Sequence, residues 1–219
     1  MTRLAIFDCD GTLVDSQGNI CLAMEQCFAA AGLPAPSRAQ TRSVVGLSLV
    51  EAMAALLPDA DHGTHRTLAE NYKTTFQRLR GRGLIEEPLY EGISELLDTL
   101  EADGWLLGVA TGKSDRGLGL CLDCHGLLKR FVTLQTADRH PSKPHPSMVE
   151  AALAEAGADA SASMMIGDTS FDMAMAKAAG VTAIGVAWGY HGREELLASG
   201  ADFIASHPAE VAEHMKAQA

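Results

Sequence analysis

Five short apolar runs, separated by segments with helical periodicity, most constrain the fold of this 219-residue chain. Each run suits a strand buried on both faces, and the segments between them have the length of helices. The runs are residues 4–7, 106–110, 131–134, 164–166 and 183–186, and the helical patterns are residues 92–103, 114–124, 146–156 and 171–179. This alternation predicts an α/β fold with a Rossmann-like parallel sheet and helices on both of its faces.

Residues 16–86 interrupt the alternation, because they carry helical patterns and no strand pattern. Two apolar faces with helical spacing occur there. One consists of Ile20, Met24, Cys27, Phe28 and Ala31, and the other of Leu68, Tyr72, Phe76 and Leu79. We therefore expect an all-helical domain at residues 16–86, inserted into a core domain made of residues 1–15 and 87–219.

The charge and the apolar pattern of the chain restrict the kinds of molecule that it can bind. The chain has 28 acidic and 17 basic residues, a net charge of −11, and it lacks the basic character that binding to nucleic acids requires. Its apolar runs are too short to span a membrane, and residues 1–4 lead into a strand without a signal-peptide pattern. Five cysteines, an odd number, favour a reducing compartment. We expect a cytoplasmic protein that binds neither nucleic acid nor membrane.

Two carboxylates follow the first predicted strand. Asp8 and Asp10 lie two residues apart, just before Gly11. Like charges that close together are costly unless they share a cation or one of them is protonated. Although Asp-Gly is also a common turn pair, a buried strand that ends in two acids indicates a functional site.

A second acidic pair, Asp168 and Asp172, follows the strand predicted at residues 164–166. Helix capping explains one of these carboxylates and leaves the other unexplained. In open parallel sheets, ligands bind at the carboxyl ends of the strands. If Asp8 and Asp168 end adjacent strands, their oxygens converge on a site that suits magnesium.

Thr111 and Lys143 end two further segments. Thr111 follows a predicted strand and precedes Gly112, so its hydroxyl and the next N–H groups lie at a helix N-terminus, which favours anions. Lys143 precedes another helix, in a loop that prolines stiffen. Taken singly, each has an ordinary explanation, a helix cap for Thr111 and solvent exposure for Lys143.

Together these four loops resemble, in order and spacing, the four motifs of the haloacid dehalogenase (HAD) superfamily, and most closely those of its phosphoglycolate phosphatase-like members. The motifs are Asp8-x-Asp10-Gly11-Thr12-Leu13-Val14-Asp15-Ser16, Thr111-Gly112-Lys113, Lys143-Pro144-x-Pro146 and Gly167-Asp168-Thr169-x-x-Asp172-Met173. The helical insertion stands where that branch carries a helical cap domain. The chain departs from many relatives at Gly112, where they have asparagine.

The resemblance implies a phosphatase that works through an aspartyl-phosphate. Asp8 would be the nucleophile, and Asp10 the general acid and then the general base. A magnesium ion would be held by Asp8, the backbone carbonyl of Asp10 and Asp168, so that a phosphate dianion can approach.

The resemblance also implies a phosphate-binding set. Thr111, Gly112 and Lys143 would hold the phosphate oxygens. Asp172 would orient Lys143 or a metal-bound water, and Thr12 belongs to the same supporting set.

The leaving group would be recognised by the cap, opposite the core motifs. Gly46 resembles the glycine of the cap's specificity loop, and Arg42 or Lys73 would meet a carboxylate or a second phosphate of the substrate. The implied substrate is a small phosphorylated metabolite, either phosphoglycolate or a sugar phosphate.

Other functions fit part of this pattern. A sugar phosphomutase of the same superfamily returns the phosphoryl group from the aspartate to its substrate. A phospho-acceptor switch of the receiver type also gathers acids, a threonine and a lysine at strand ends, but it has no helical insertion and its acidic pair and acceptor lie on different strands. A haloacid dehalogenase needs neither Asp10 nor an acidic metal site.

Overall fold

The computed structural model describes residues 2–218, which form one six-stranded parallel sheet. Its strands are β1 (Leu4–Phe7), β2 (Leu106–Thr111), β3 (Phe131–Thr136), β4 (Ser163–Gly167), β5 (Thr182–Val186) and β6 (Phe203–Ala205). Their order across the sheet is β3-β2-β1-β4-β5-β6. The predicted α/β class is confirmed. Met1 and Ala219, the outer ends of the predicted core domain, lie outside the described residues.

Ten α-helices accompany the sheet within residues 2–218. They are α1 (Gln17–Ala30), α2 (Arg38–Ser43), α3 (Leu49–Leu56), α4 (His62–Gly81), α5 (Ile93–Ala102), α6 (Asp115–Cys124), α7 (Ser147–Ala156), α8 (Ser170–Ala178), α9 (Arg193–Ala198) and α10 (Pro208–Ala217). Two 3-10 turns, Leu128–Arg130 and Ala160–Ala162, precede β3 and β4. No helix in this described part is long and apolar enough to cross a membrane.

Both faces of the sheet are covered, which explains why its strands are continuous apolar runs rather than alternating ones. Successive side chains of β1 point to opposite faces. Ala5 and Phe7 pack with α5, α6 and α10, whereas Leu4 and Ile6 pack with α7, α8 and α9. The five predicted strands and the four predicted core helices are therefore found where their patterns place them.

The C-terminal part of the sheet was not predicted. Strand β6 has three residues and α9 has six, and elements this short show too little periodicity to be recognised. Helix α10 begins with Pro208 at its first turn, a favoured position for proline. One apolar assignment also differs, because Ala31 lies beyond the end of α1 and is exposed.

Helices α1 to α4 lie between β1 and α5 in the chain, and α1, α3 and α4 share an apolar cluster of their own. Met24, Phe28, Met53 and Leu68 belong to it. The cluster agrees with an all-helical insertion, while the boundaries at residues 15/16 and 86/87 stay a prediction.

Cys9 shows how the strand alternation continues into the loop after β1. It lies between Asp8 and Asp10, and its side chain is buried in the apolar cluster on the Phe7 side of the sheet. Its Sγ lies 3.9 Å from Sγ of Cys121 on α6. Both thiols are free. The residue between the two carboxylates is therefore a core residue.

Candidate active site

The register of the sheet brings the polar loops together. Phe7 at the end of β1 pairs with Val109 of β2 on one side and with Ile166 of β4 on the other. The residues that follow these three positions therefore leave the sheet at the same edge. Asp8, Thr111 and Asp168 meet there, and all three are buried.

Asp8 has one engaged and one free carboxylate oxygen. Its Oδ1 accepts a hydrogen bond from the Cys9 amide at 2.6 Å and lies 3.1 Å from Nζ of Lys143. Its Oδ2 is buried and has no hydrogen-bond partner among residues 2–218. Burial, opposed by the Lys143 charge and reinforced by Asp172 and Asp10, raises the pKa of Asp8 to about 7. The free oxygen is available to a cation or to a phosphorus atom.

Asp168 is held from two sides. Its Oδ1 accepts a hydrogen bond from the Thr12 hydroxyl at 2.9 Å, and its Oδ2 accepts one from the Tyr190 amide at 2.9 Å. Burial and the charges of Asp172 and Asp8 raise its pKa well above the usual range. Asp168 does not cap α8, because the N-cap residue is Thr169. Thr12, predicted as a supporting residue, thus orients Asp168.

Asp172 forms the capping box of α8 with Thr169. Its Oδ2 accepts hydrogen bonds from the Thr169 amide at 3.0 Å and hydroxyl at 2.7 Å, which leaves Oδ1 for Lys143. The Lys143 Nζ donates to that oxygen at 2.6 Å. This arrangement is consistent with the prediction that Asp172 orients Lys143.

Lys143 is fully buried between two carboxylates. Burial alone favours the neutral amine, but Asp172 and Asp8 outweigh it and raise the pKa of Lys143. The side chain therefore stays charged, and its ammonium lies beside the carboxylate of Asp8. A cation in this position can also attract a phosphate.

The residues present fit a divalent cation. Asp8, Asp168 and Asp172 are buried, and each offers a carboxylate oxygen within 4.8 Å of the others. Lys143 pairs with two of these carboxylates, those of Asp8 and Asp172, and Oδ2 of Asp8 is a buried atom without a partner among residues 2–218. Buried charges require pairing or metal coordination, and a donor set of oxygens alone suits magnesium.

Asp10 lies outside this cluster. Its Oδ1 lies 2.8 Å from Nζ of Lys113 and accepts a hydrogen bond from the Ser16 hydroxyl. The side chain therefore has surroundings different from those of Asp8, as two carboxyl groups with different chemical tasks require. The predicted metal contact through the backbone carbonyl of Asp10 stays a prediction.

Lys113 links Asp10 to the helical insertion. Besides Asp10, its Nζ contacts Oε1 of Glu87 at 2.7 Å, and Glu87 in turn accepts a hydrogen bond from Arg80 of α4. Burial opposes the charge of Lys113, but Asp10 and Glu87 hold its pKa well above the usual value. The lysine of the Thr111-Gly112-Lys113 motif thus holds the carboxylate of Asp10 in place.

Thr111 and Gly112 line a cavity of about 440 Å³ together with Asp8 and Asp10. The Thr111 hydroxyl accepts a hydrogen bond from the Lys113 amide at 3.3 Å. A Cβ atom on Gly112 would lie 2.8 Å from the carbonyl oxygens of Gly46 and Leu47. The absence of a side chain at Gly112 therefore lets the loop before α3 lie directly on the core.

The three residues predicted for specificity lie in different places. Gly46 has a φ of 98° and lines the cavity, where it touches the core. Lys73 on α4 also lines the cavity and pairs with Glu70 at 3.0 Å. Arg42 is exposed on α2 and is not among the residues that line the cavity.

Several site residues were missed by the sequence analysis. Tyr190 donates its amide to Asp168, and its hydroxyl lies 3.1 Å from the Ser16 hydroxyl. Ser142 accepts a hydrogen bond from the Ser48 amide at 2.8 Å, which ties the insertion to the core. The sequence offered one signal for these contacts, namely that Lys113 stands in the same motif as Thr111. Tyr190 lies in a loop that has no recognisable sequence pattern.

Known proteins resemble this chain over most of its length. Residues 5–186 match the family model described as haloacid dehalogenase-like hydrolase. "Probable phosphatase IndB" of Dickeya dadantii is 37% identical over 204 residues, which cover 91% of this chain and 87% of that protein. The phosphoglycolate phosphatase of Vibrio parahaemolyticus is 30% identical over 222 residues, covering 96% and 95%.

Solved structures agree with the fold. A haloacid dehalogenase-like family hydrolase from Streptococcus pneumoniae has a TM-score of 0.84 at 25% identity, covering 97% of this chain and 98% of that one. A hydrolase from Pseudomonas syringae has a TM-score of 0.87 at 24% identity, covering 99% of each chain. At this identity the second structure supports the fold alone.

Proposed function

Since the chain belongs to the haloacid dehalogenase-like hydrolase family and is a phosphoglycolate phosphatase-like phosphatase, we propose that it hydrolyses a small phosphorylated metabolite through an aspartyl-phosphate and with magnesium. The proposed metabolite is phosphoglycolate or a sugar phosphate. The observation that carries this proposal is Asp8, a buried carboxylate beside Lys143 whose Oδ2 is free and which lines the cavity.

In the first step, a carboxylate oxygen of Asp8 attacks phosphorus in line with the ester oxygen. The bond between phosphorus and that oxygen breaks, and the carboxyl group of Asp10 donates its proton to the departing alcohol. Thr111 and the Gly112 amide, with Lys143 beside Asp8, hold the remaining phosphate oxygens while charge moves toward the leaving group.

In the second step, the Asp10 carboxylate takes a proton from water, and the water oxygen attacks the phosphorus of the aspartyl-phosphate. The bond from phosphorus to the Asp8 oxygen breaks, which releases phosphate and restores both carboxyl groups. Lys113 and Ser16 keep the Asp10 side chain in one position through both steps, since they contact the same oxygen.

Asp8, Asp168 and the Asp10 backbone carbonyl would hold the magnesium ion, with Asp172 as the nearest further carboxylate. When bound, the ion neutralises the carboxylates and the incoming phosphate dianion. Thr12 and the Tyr190 amide orient Asp168 for this task. We propose that residues 16–86 act as a cap that shields the aspartyl-phosphate from bulk water.

The central test is detection of the covalent intermediate. The Asp10→Asn variant lacks the base for the second step, so we expect it to retain one phosphoryl group per chain after mixing with p-nitrophenyl phosphate and magnesium, as read by intact-protein mass spectrometry. Asp8→Asn is the matched control and should retain none. Labelling of Asp8→Asn, or full turnover by it, would refute the assignment of the nucleophile.

A further inference from the structure

The cavity beside Asp8 is large while the insertion is seated on the core. Its volume is about 440 Å³, within the range of about 300–1,000 Å³ that is typical of pockets for drug-sized ligands. The Ser48 amide donates a hydrogen bond to the Ser142 hydroxyl at 2.8 Å, and the Gly46 carbonyl lies so close to Gly112 that a Cβ atom there would be 2.8 Å from its oxygen. Because these contacts join the two parts, the volume is that of an assembled site. A two-carbon acid would leave most of it unfilled.

The part of the cavity wall that the insertion contributes is mostly apolar. It includes Ile20, Met24, Val44, Leu49, Tyr72 and Phe76. The rings of Tyr72 and Phe76 lie 5.9 Å apart between centroids, and Phe76 is only half-buried. Such a wall favours a ligand with a flat, weakly polar part.

Phe76 lies close to the reacting groups. Nζ of Lys113 is 2.8 Å from Oδ1 of Asp10 and 5.9 Å from the centroid of the Phe76 ring. The ring therefore lies near the carboxyl group that would protonate the leaving group.

The cations of the cavity wall are already paired, with one exception. Lys113 contacts Asp10 and Glu87, Arg80 contacts Glu87, and Lys73 contacts Glu70. Only Arg116 has no ion pair within residues 2–218, and it is exposed on α6. A carboxylate placed two carbons from the phosphate would thus find one unpaired cation among these side chains, and that cation is on the core helix α6 and not on the apolar wall of the insertion.

On the basis of the proposed phosphatase function, we infer that the preferred substrate is a sugar phosphate that carries a flat ring, of the size of a nucleoside monophosphate, rather than phosphoglycolate. The phosphate lies at Asp8 and Thr111, the sugar near Asp10, and the ring against Phe76 and Tyr72.

The test compares kcat/KM of the magnesium-loaded enzyme for ribonucleoside 5′-monophosphates, ribose 5-phosphate, phosphoglycolate and p-nitrophenyl phosphate. We expect at least one nucleotide to exceed both ribose 5-phosphate and phosphoglycolate by about tenfold or more, the order of one base–aromatic stack. Phe76→Ala should remove that advantage, chiefly through KM. Leu84→Ala, an exposed leucine outside the cavity, is the matched control.

A binding measurement covers the case in which Phe76→Ala does not fold. Calorimetry on Asp8→Asn, which cannot turn over, should show tighter binding of the nucleotide than of phosphoglycolate. Equal or tighter binding of phosphoglycolate, or a higher kcat/KM for it, overturns the inference and leaves the phosphatase function intact. Failure to hydrolyse any of these esters, p-nitrophenyl phosphate included, would instead refute the proposed function.

Discussion

Replacing Asp8 by asparagine should stabilise the metal-free protein while it removes the phosphatase activity. Burial, opposed by Lys143 and reinforced by Asp172 and Asp10, raises the pKa of Asp8 from 3.8 to about 7. At about 1.4 kcal/mol per pKa unit, the buried anion costs the folded state about 4 kcal/mol relative to the neutral acid. Asparagine has the shape of the acid and carries no charge.

The pH dependence follows from the direction of this shift. The folded pKa is above the unfolded one, so the proton is bound more tightly by the folded protein, and stability falls as pH rises from about 4 to about 7. The wild type in EDTA should therefore lose stability across this window. Asp8→Asn should lose less, and the difference between the two proteins should be largest above pH 7.

Denaturation by urea in EDTA at pH 5 and pH 8 measures these quantities. At pH 8 we expect Asp8→Asn to exceed the wild type by about 2–4 kcal/mol, allowing for incomplete hydrogen bonding of the new amide. Asp59→Asn makes the same change at an exposed site and should alter stability by no more than about 0.5 kcal/mol. If Asp8→Asn is less stable than the wild type at pH 8, or if both proteins lose stability equally as pH rises, the buried Asp8 carboxylate does not destabilise the folded protein.

Three further changes probe the same region. Magnesium at about 100 times its dissociation constant should stabilise the wild type by about 2.7 kcal/mol. If adding magnesium does not raise the melting temperature, the acidic cluster does not bind the ion. Glu87 has its pKa lowered because Lys113 and Arg80 outweigh the effect of burial, so its stabilisation is present above pH 4.5 and lost on further acidification. Glu87→Gln should flatten the acid limb of a stability curve, and an unchanged limb would count against this ion pair. Gly112→Ala should force Gly46 away and lower kcat/KM about ten- to hundredfold with a small change in thermal stability, and wild-type kinetics would contradict the close contact.

The sequence was informative where local pattern decides the structure. The apolar runs located β1 to β5, and the parallel sheet that they predict brought Asp8, Thr111 and Asp168 to one edge. The three-residue strand β6 carried no such pattern. Its place in the sheet depends on pairing with β5, which is a property of the assembled fold.

Contacts between distant segments were beyond sequence reasoning. The partner of Asp10 is Lys113, and its other neighbours are Ser16 and, through Ser16, Tyr190. These residues are far apart in the chain, and their meeting depends on how the insertion and the loop after β5 fold over the site. The volume of the cavity likewise depends on the seating of the insertion, which no motif encodes.

The burial of Cys9 couples the reactive loop to the interior of the protein. Because alternate residues point to opposite sides, the spacing that separates Asp8 from Asp10 assigns the middle position to the packing beneath the sheet, against Cys121. Because Cys9 is fully buried, we expect a larger side chain there to displace its neighbours, including the carboxylates on either side of it. A substitution at Cys9 that is intended to improve packing and thermal stability should therefore lower the turnover number of the enzyme.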